Sequence, residues 1–279
     1  MSTVSEPDTE NPPRRASGVL RRPVVWMVVG IAGVGAASML SLGGPILGLV
    51  GAAVAVVVYR VVMRRLARRD TPEIAGRHAV LELLFGAGFG VLFVGVSILA
   101  VLTEFSFSRS PGNPMSIVAS MAAVSLGAAV TEELLFRGLA LQALERMAGS
   151  WAALGITALL FGLLHLANPA ATLWSSLAIA VEAGVLLGAA FLWRRNIWFA
   201  VGLHFAWNTA VGLLGIPVSG HAADGLMVTR PTGPTLLTGG EFGLEASIIP
   251  VIVSLLIAVP MLVAAARRGH LVPLGRAHH

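Results

Sequence analysis

The sequence predicts an all-α fold: a polytopic transmembrane helical bundle of about eight spans with both termini in the cytoplasm. Three observations predict it. Apolar runs of about twenty residues, enough to cross a bilayer, recur along the chain. Only 12% of the 279 residues are charged and 56% are hydrophobic, about half the charged fraction of a soluble domain, and the mean hydropathy is +0.83. The arginines alternate, dense in every second loop and sparse in the others, as the positive-inside rule requires of cytoplasmic loops.

Taken in order, residues 1–22 (MSTVSEPDTENPPRRASGVLRR) are polar and Pro-bearing, the composition of a disordered cytoplasmic tail. No A-x-A cleavage signal accompanies the first apolar run, which therefore reads as a span and not a signal peptide. Spans are expected over 24–42, 45–63, 79–102, 115–134 (its helix running on to about 147), 151–168, 172–193, 197–214 and 246–266. "SLGGP" at 41–45 turns the chain between the first two, and "SRSPGNP" at 108–114 separates the third and fourth, with Pro114 suited to a helix start. The Gly-, Pro- and Thr-rich stretch 215–245 is an external loop, read first as a connector and alternatively as a lid or substrate-contacting segment. The chain thus divides into a tail (1–22), N-terminal transmembrane helices (23–114), a core (115–214), the external loop (215–245), and a last helix with a cytoplasmic tail (246–279).

The arginines support the count of eight. Arg14, Arg15, Arg21 and Arg22 precede the first span, and Arg60, Arg64, Arg65, Arg68, Arg69 and Arg77 lie between the second and third. Arg146 follows the fourth, Arg194 and Arg195 the sixth, and Arg267, Arg268 and Arg276 the eighth. The alternate loops hold only Arg109 and Arg230. A net charge of +5 placed in this way is topological and not a nucleic-acid footprint. All 19 basic residues are arginine, which reads as codon bias. The absence of cysteine excludes disulfides, thiolate catalysis and cysteine-based metal sites. No internal repeat supports an inverted-repeat transporter.

Ionisable side chains inside a span cost at least ~2.5–3.5 kcal/mol each and mark function by default. Four places stand out: Glu132, Glu133 and Arg137 in "EELLFR", His165 in "FGLLH", His204 with Asn208 in "HFAWN", and Glu182 alone. Glu133 and Arg137 are four apart with the acid first, the favourable order for an ion pair on one helix face. Glu132 points about 100° away and its i+4 neighbour is Phe136, so its partner must come from another helix. Counted from Gly149 in the "MAGSW" turn, Glu132 and His165 lie level, roughly 25 Å along antiparallel arms at ~1.5 Å per residue. Phe161, four before His165, shares its face. His204 and Asn208 share a face at about 12 and 18 Å from the "RRN" turn. If the fourth and fifth helices protrude, all four residues meet in the cytoplasmic half of the bilayer.

Such a set suits amide hydrolysis without a covalent intermediate. A glutamate beside a histidine in an apolar cavity acts as general base on a water. A second histidine and an asparagine offer donors to the oxyanion of a tetrahedral intermediate.

At these residues the chain resembles the CPBP family of intramembrane glutamic endopeptidases, which includes the CAAX proteases and the Abi-type, bacteriocin-processing enzymes. The family's Glu-Glu-x-x-x-Arg, Phe-x-x-x-His and His-x-x-x-Asn motifs occur intact and in order at 132–137, 161–165 and 204–208, and the resemblance covers about 115–214. It implies that Glu132 activates a water with His165, that His204 and Asn208 form the oxyanion site, and that Glu133, Arg137 and Phe161 support them. It further implies a peptide or membrane-protein substrate in the lipid bilayer, no cofactor, no nucleic acid, and a multi-pass protein of a bacterial plasma membrane. Two rival readings stand beside it. Glu132, His165 and His204 form a His₂Glu set that suits catalytic zinc, although no His-Glu-x-x-His occurs. A non-enzymatic immunity, scaffold or transport protein would use Glu182 and the buried histidines as an ion path.

Overall fold

A computed structural model describes residues 22–274. The expected tail 1–22, save Arg22, and the chain end from 275 lie outside the described residues. Within them the chain is an all-α bundle. The major helices are α1 (Pro23–Ser38), α2 (Pro45–Arg65), α3 (Ala79–Val101), α4 (Pro114–Glu133), α5 (Gln142–Leu164), α6 (Leu173–Ile179), α7 (Leu186–Arg194), α8 (Ile197–Leu213) and α9 (Ile248–Arg267). Six stretches are long and apolar enough to cross a membrane. One of them, Pro114–Ala167, is 54 residues long. It is two arms, because Gly149 adopts a positive φ of 77° and turns the chain inside α5. Ile197–Leu213 is a shorter apolar helix. The protein is a multi-pass integral membrane protein.

Two segments depart from α geometry. Leu134–Leu141, between α4 and α5, and Ala180–Val185, between α6 and α7, are π-helical. Wider π turns shift the register of the helix and displace carbonyls from the α ladder, and they recur at functional sites. Each carries a charged residue of the polar interior, Arg137 in the first and Glu182 in the second.

Small residues set the helix crossing that carries His204. On α3, a Cβ at Gly86 would lie 2.0 Å from the Phe199 carbonyl oxygen and one at Gly90 2.5 Å from that of Leu203. On α8, a Cβ at Gly202 would lie 2.0 Å from the Leu83 carbonyl oxygen. The two backbones therefore meet directly, the small-residue packing by which membrane helices approach closely.

The two ends of the bundle differ. One end gathers the arginines. Arg69 bonds Glu73 at 2.8 Å and Gln142 at 2.6 Å, Arg194 bonds Glu82 at 3.0 Å, and Arg195 bonds Glu145 at 2.6 Å. Burial disfavours the Arg69 charge, but its hydrogen bond with Glu73 and the adjacent negative charge outweigh this and raise its pKa. The Gly149 turn sits here too, strapped by the chain end through the Ser150 N–H to Val272 carbonyl bond of 2.9 Å.

At the other end, β1 (Phe105–Arg109) and β2 (Met227–Pro231) form an antiparallel ribbon with Ser106 opposite Arg230. Half of this strand pair lies in the 215–245 stretch, and Ile216 and Leu244 near its two ends pack into the bundle core. The span expected over 151–168 stops as an α-helix at Leu164, and a 3₁₀ turn, His165–Ala167, follows.

Candidate active site

Glu133 is fully buried, and its Oε1 accepts from Arg137 Nη1 at 3.0 Å. Arg137, also buried, sends Nη2 to the carbonyl oxygens of Ala183 (2.8 Å) and Gly184 (3.1 Å) in the second π segment. Its guanidinium stands 5.2 Å from the Phe161 ring centroid. One arginine thus ties the two π-helical segments together and is covered by the aromatic ring that precedes His165.

The same Glu133 Oε1 accepts a second bond, from His204 Nδ1 at 3.0 Å. Sequence spacing pairs Glu133 with the arginine alone. The histidine lies 71 residues away on α8, and no local pattern announces that bond. With Nδ1–H held, Nε2 is the ring atom left to face the cavity, and it lies 3.9 Å from Glu132 Oε2. That gap is too long for a direct hydrogen bond and wide enough for a bridging water.

His165 is fixed in a similar manner. Its Nδ1 donates to the Phe161 carbonyl oxygen at 2.7 Å, and its ring packs on that of Phe161 with centroids 4.6 Å apart. This bond assigns the proton to Nδ1 and leaves Nε2 as an acceptor. The carboxylate of Glu132 is one-third exposed, unlike that of Glu133. The two neighbouring acids therefore differ in surroundings as they differ in direction.

Glu132, His165, His204 and Asn208 all line one narrow chamber of about 40 Å³, room for one or two waters. Glu132, His165 and Asn208 also line a cavity of about 720 Å³ that continues from it between α4 and the 218–224 segment.

Three further residues line the chamber, and two of them escape local sequence reasoning. Glu182 is buried, and its Oε2 has no hydrogen-bond partner among the described residues. Glu245 is held by Trp207 Nε1 at 2.9 Å and by the Ser219 backbone N–H. Ser219 itself is tied to the turn after His165, its carbonyl oxygen accepting from Asn168 Nδ2 at 2.9 Å. Glu182 was visible as a lone charge in a span. Ser219 and Glu245 sit in what reads as a loop and carried no signal.

The site also lies nearer the ribbon end than the helical count suggested. His165 is the first residue after α5, Asn208 is five residues before the end of α8, and Glu245 precedes α9. Counting from the Gly149 turn could not register loop residues that descend to meet these helix ends.

Among the described residues no three His, Cys, Asp or Glu side chains are grouped to hold a metal ion.

Residues 113–210, the stretch that contains all three motifs, match the family model described as "Type II CAAX prenyl endopeptidase Rce1-like". No curated protein and no solved structure matches the chain.

Proposed function

From the match of residues 113–210 to the Rce1-like family of type II CAAX prenyl endopeptidases, we propose that the chain is such a protease and that it hydrolyses a peptide bond as follows. The family is one of proteases, so the non-enzymatic reading is set aside. The observation that carries the proposal is the meeting of Glu132, His165, His204 and Asn208 in one water-sized chamber at the end of a larger cavity.

Glu132 takes a proton from a water held between its carboxylate and His165 Nε2, and the resulting hydroxide attacks the scissile carbonyl carbon. Negative charge forms on the carbonyl oxygen. His204, as an imidazolium donating through Nε2, and the Asn208 amide stabilise it. Glu133 holds the ring's other nitrogen and thereby its orientation. Collapse of the tetrahedral intermediate breaks the C–N bond, and the proton stored on Glu132 passes to the leaving amine.

We assign this chemistry to a core over 115–214, with the 215–245 segment completing its cavity and the flanking helices supporting it. The substrate is a peptide or a segment of a membrane protein. We place the enzyme in a bacterial plasma membrane.

The test is cleavage of a quenched peptide library by detergent-purified protein. Wild type should cleave, with or without a strong chelator. Glu132→Gln should lose at least about a hundredfold in rate, the lower range for removing a general base. Activity lost on chelation and restored by zinc would replace this mechanism with a metal-dependent one.

A further inference from the structure

The chamber where the proposed chemistry sits is reached through the 720 Å³ cavity, and the walls of that cavity say from which side. They run along α4 from Ser116 and Ser120 to Glu132 and on to Phe136, and on the facing side they are Leu164, Asn168 and the 218–224 segment, including His221 and Asp224. The cavity thus extends to the chamber from the ribbon end, where α4 begins and the 218–224 segment lies. In the same region Ser110 N–H bonds the Leu226 carbonyl at 3.0 Å, so the segment is continuous with the β1–β2 ribbon.

The opposite end is the one that gathers Arg69, Arg146, Arg194, Arg195, Arg267 and Arg268. Hydrogen bonds and ring contacts link these turns to each other: Arg69 to Gln142, Arg195 to Glu145, and Arg268 over Trp193 at 5.7 Å. The ribbon end carries only Arg109 and Arg230 among the described residues. Arginine bias in short loops beside spans fixes orientation, with the rich side in the cytoplasm.

We infer that the catalytic cavity opens on the non-cytoplasmic face of the membrane, so that the substrates are polypeptides presented there: exported peptides, or the outer ends of membrane-anchored proteins. The substrate statement rests on the peptidase reading. The sidedness rests on geometry and charge alone.

Two features fit a substrate that arrives from that face. Polar groups line the approach at Ser116, Ser120, Asn168 and Asp224, while the arginine end is closed over by the strap from Arg268 to Leu274 against the Gly149 turn. A Cβ at Gly149 would lie 2.9 Å from the Val272 carbonyl oxygen, which shows how tightly that end is covered.

The absence of cysteine makes the test direct. Three single variants place a thiol at exposed positions: Asp224→Cys and Met115→Cys at the ribbon end, and Asp70→Cys at the arginine end. Intact cells expressing each are treated with a membrane-impermeant maleimide, with permeabilised cells as the reference. Labelling of Asp224→Cys and Met115→Cys without permeabilisation, and of Asp70→Cys only after it, is the expected result. The reverse pattern overturns the inference. In parallel, right-side-out and inverted vesicles receive an impermeant quenched peptide library. Glu132-dependent cleavage by right-side-out vesicles supports the substrate class, and cleavage by inverted vesicles alone overturns it. Silence from both preparations and from detergent-solubilised protein would instead remove the peptidase reading, while the thiol labelling still decides the side.

Discussion

Glu132 and Glu133 are adjacent in sequence and about 100° apart on a helix, and the structure gives them different surroundings. Glu133 is enclosed and serves two donors through one oxygen, whereas Glu132 keeps an open face on the chamber. Glu133→Gln should therefore act first on stability. It strands a buried guanidinium and loosens His204, a change that costs about 3–5 kcal/mol when one partner of a buried pair is removed. Thermal unfolding in detergent reads this directly. Adding Arg137→Met to Glu133→Gln should recover part of the loss, because the charge no longer needs a partner. Glu132→Gln should leave the unfolding temperature near that of wild type while abolishing cleavage. A Glu132→Gln protein that melted as early as Glu133→Gln would show that both acids are structural.

At the scale of elements, the crossing of α3 and α8 decides where His204 points. Because a Cβ at Gly202 would fall 2.0 Å from a backbone oxygen, Gly202→Val cannot be absorbed by a side-chain rotation. The helices must part, at about 1–3 kcal/mol or more. Cleavage should fall with it even though no catalytic group is altered, and retained wild-type kcat would argue that the crossing does not position His204. Helices of this kind were legible in the sequence, since twenty apolar residues and an arginine-bearing turn are strong local signals. Phe161, His165, His204 and Asn208 were legible as i, i+4 pairs for the same reason. The β1–β2 ribbon was not read, although "FSFSR" alternates with the period of a strand, because five residues between two spans carry little weight against the helical signals around them. The two π segments were invisible: their sequences are ordinary, and the bonds that join them, from Arg137 to the Ala183 and Gly184 carbonyls, span 46 and 47 residues.

For the molecule as a whole, the arrangement of ends predicts its topology. Reporter fusions after residues 70, 146, 195 and 270 should report the cytoplasm, and those after 110, 169 and 230 the other side. A cytoplasmic signal at 230 would undo both the eight-span layout and the placement of the cavity mouth. The Glu133–Arg137 pair also has a consequence for biosynthesis. Its two members are four residues apart and leave the ribosome together, whereas the Ala183 carbonyl follows Arg137 by 46 residues and His204 follows Glu133 by 71. At about 5–20 residues per second, the first turn of "EELLFR" waits on the order of 2–15 s for those later partners. During that interval the nascent helix must be accepted by the translocon with only its own neighbour to neutralise the guanidinium. The glutamate that looks redundant beside the proposed base is the counter-charge available from the outset. Its loss should lower the yield of inserted chain during synthesis, before any folded enzyme exists to be destabilised.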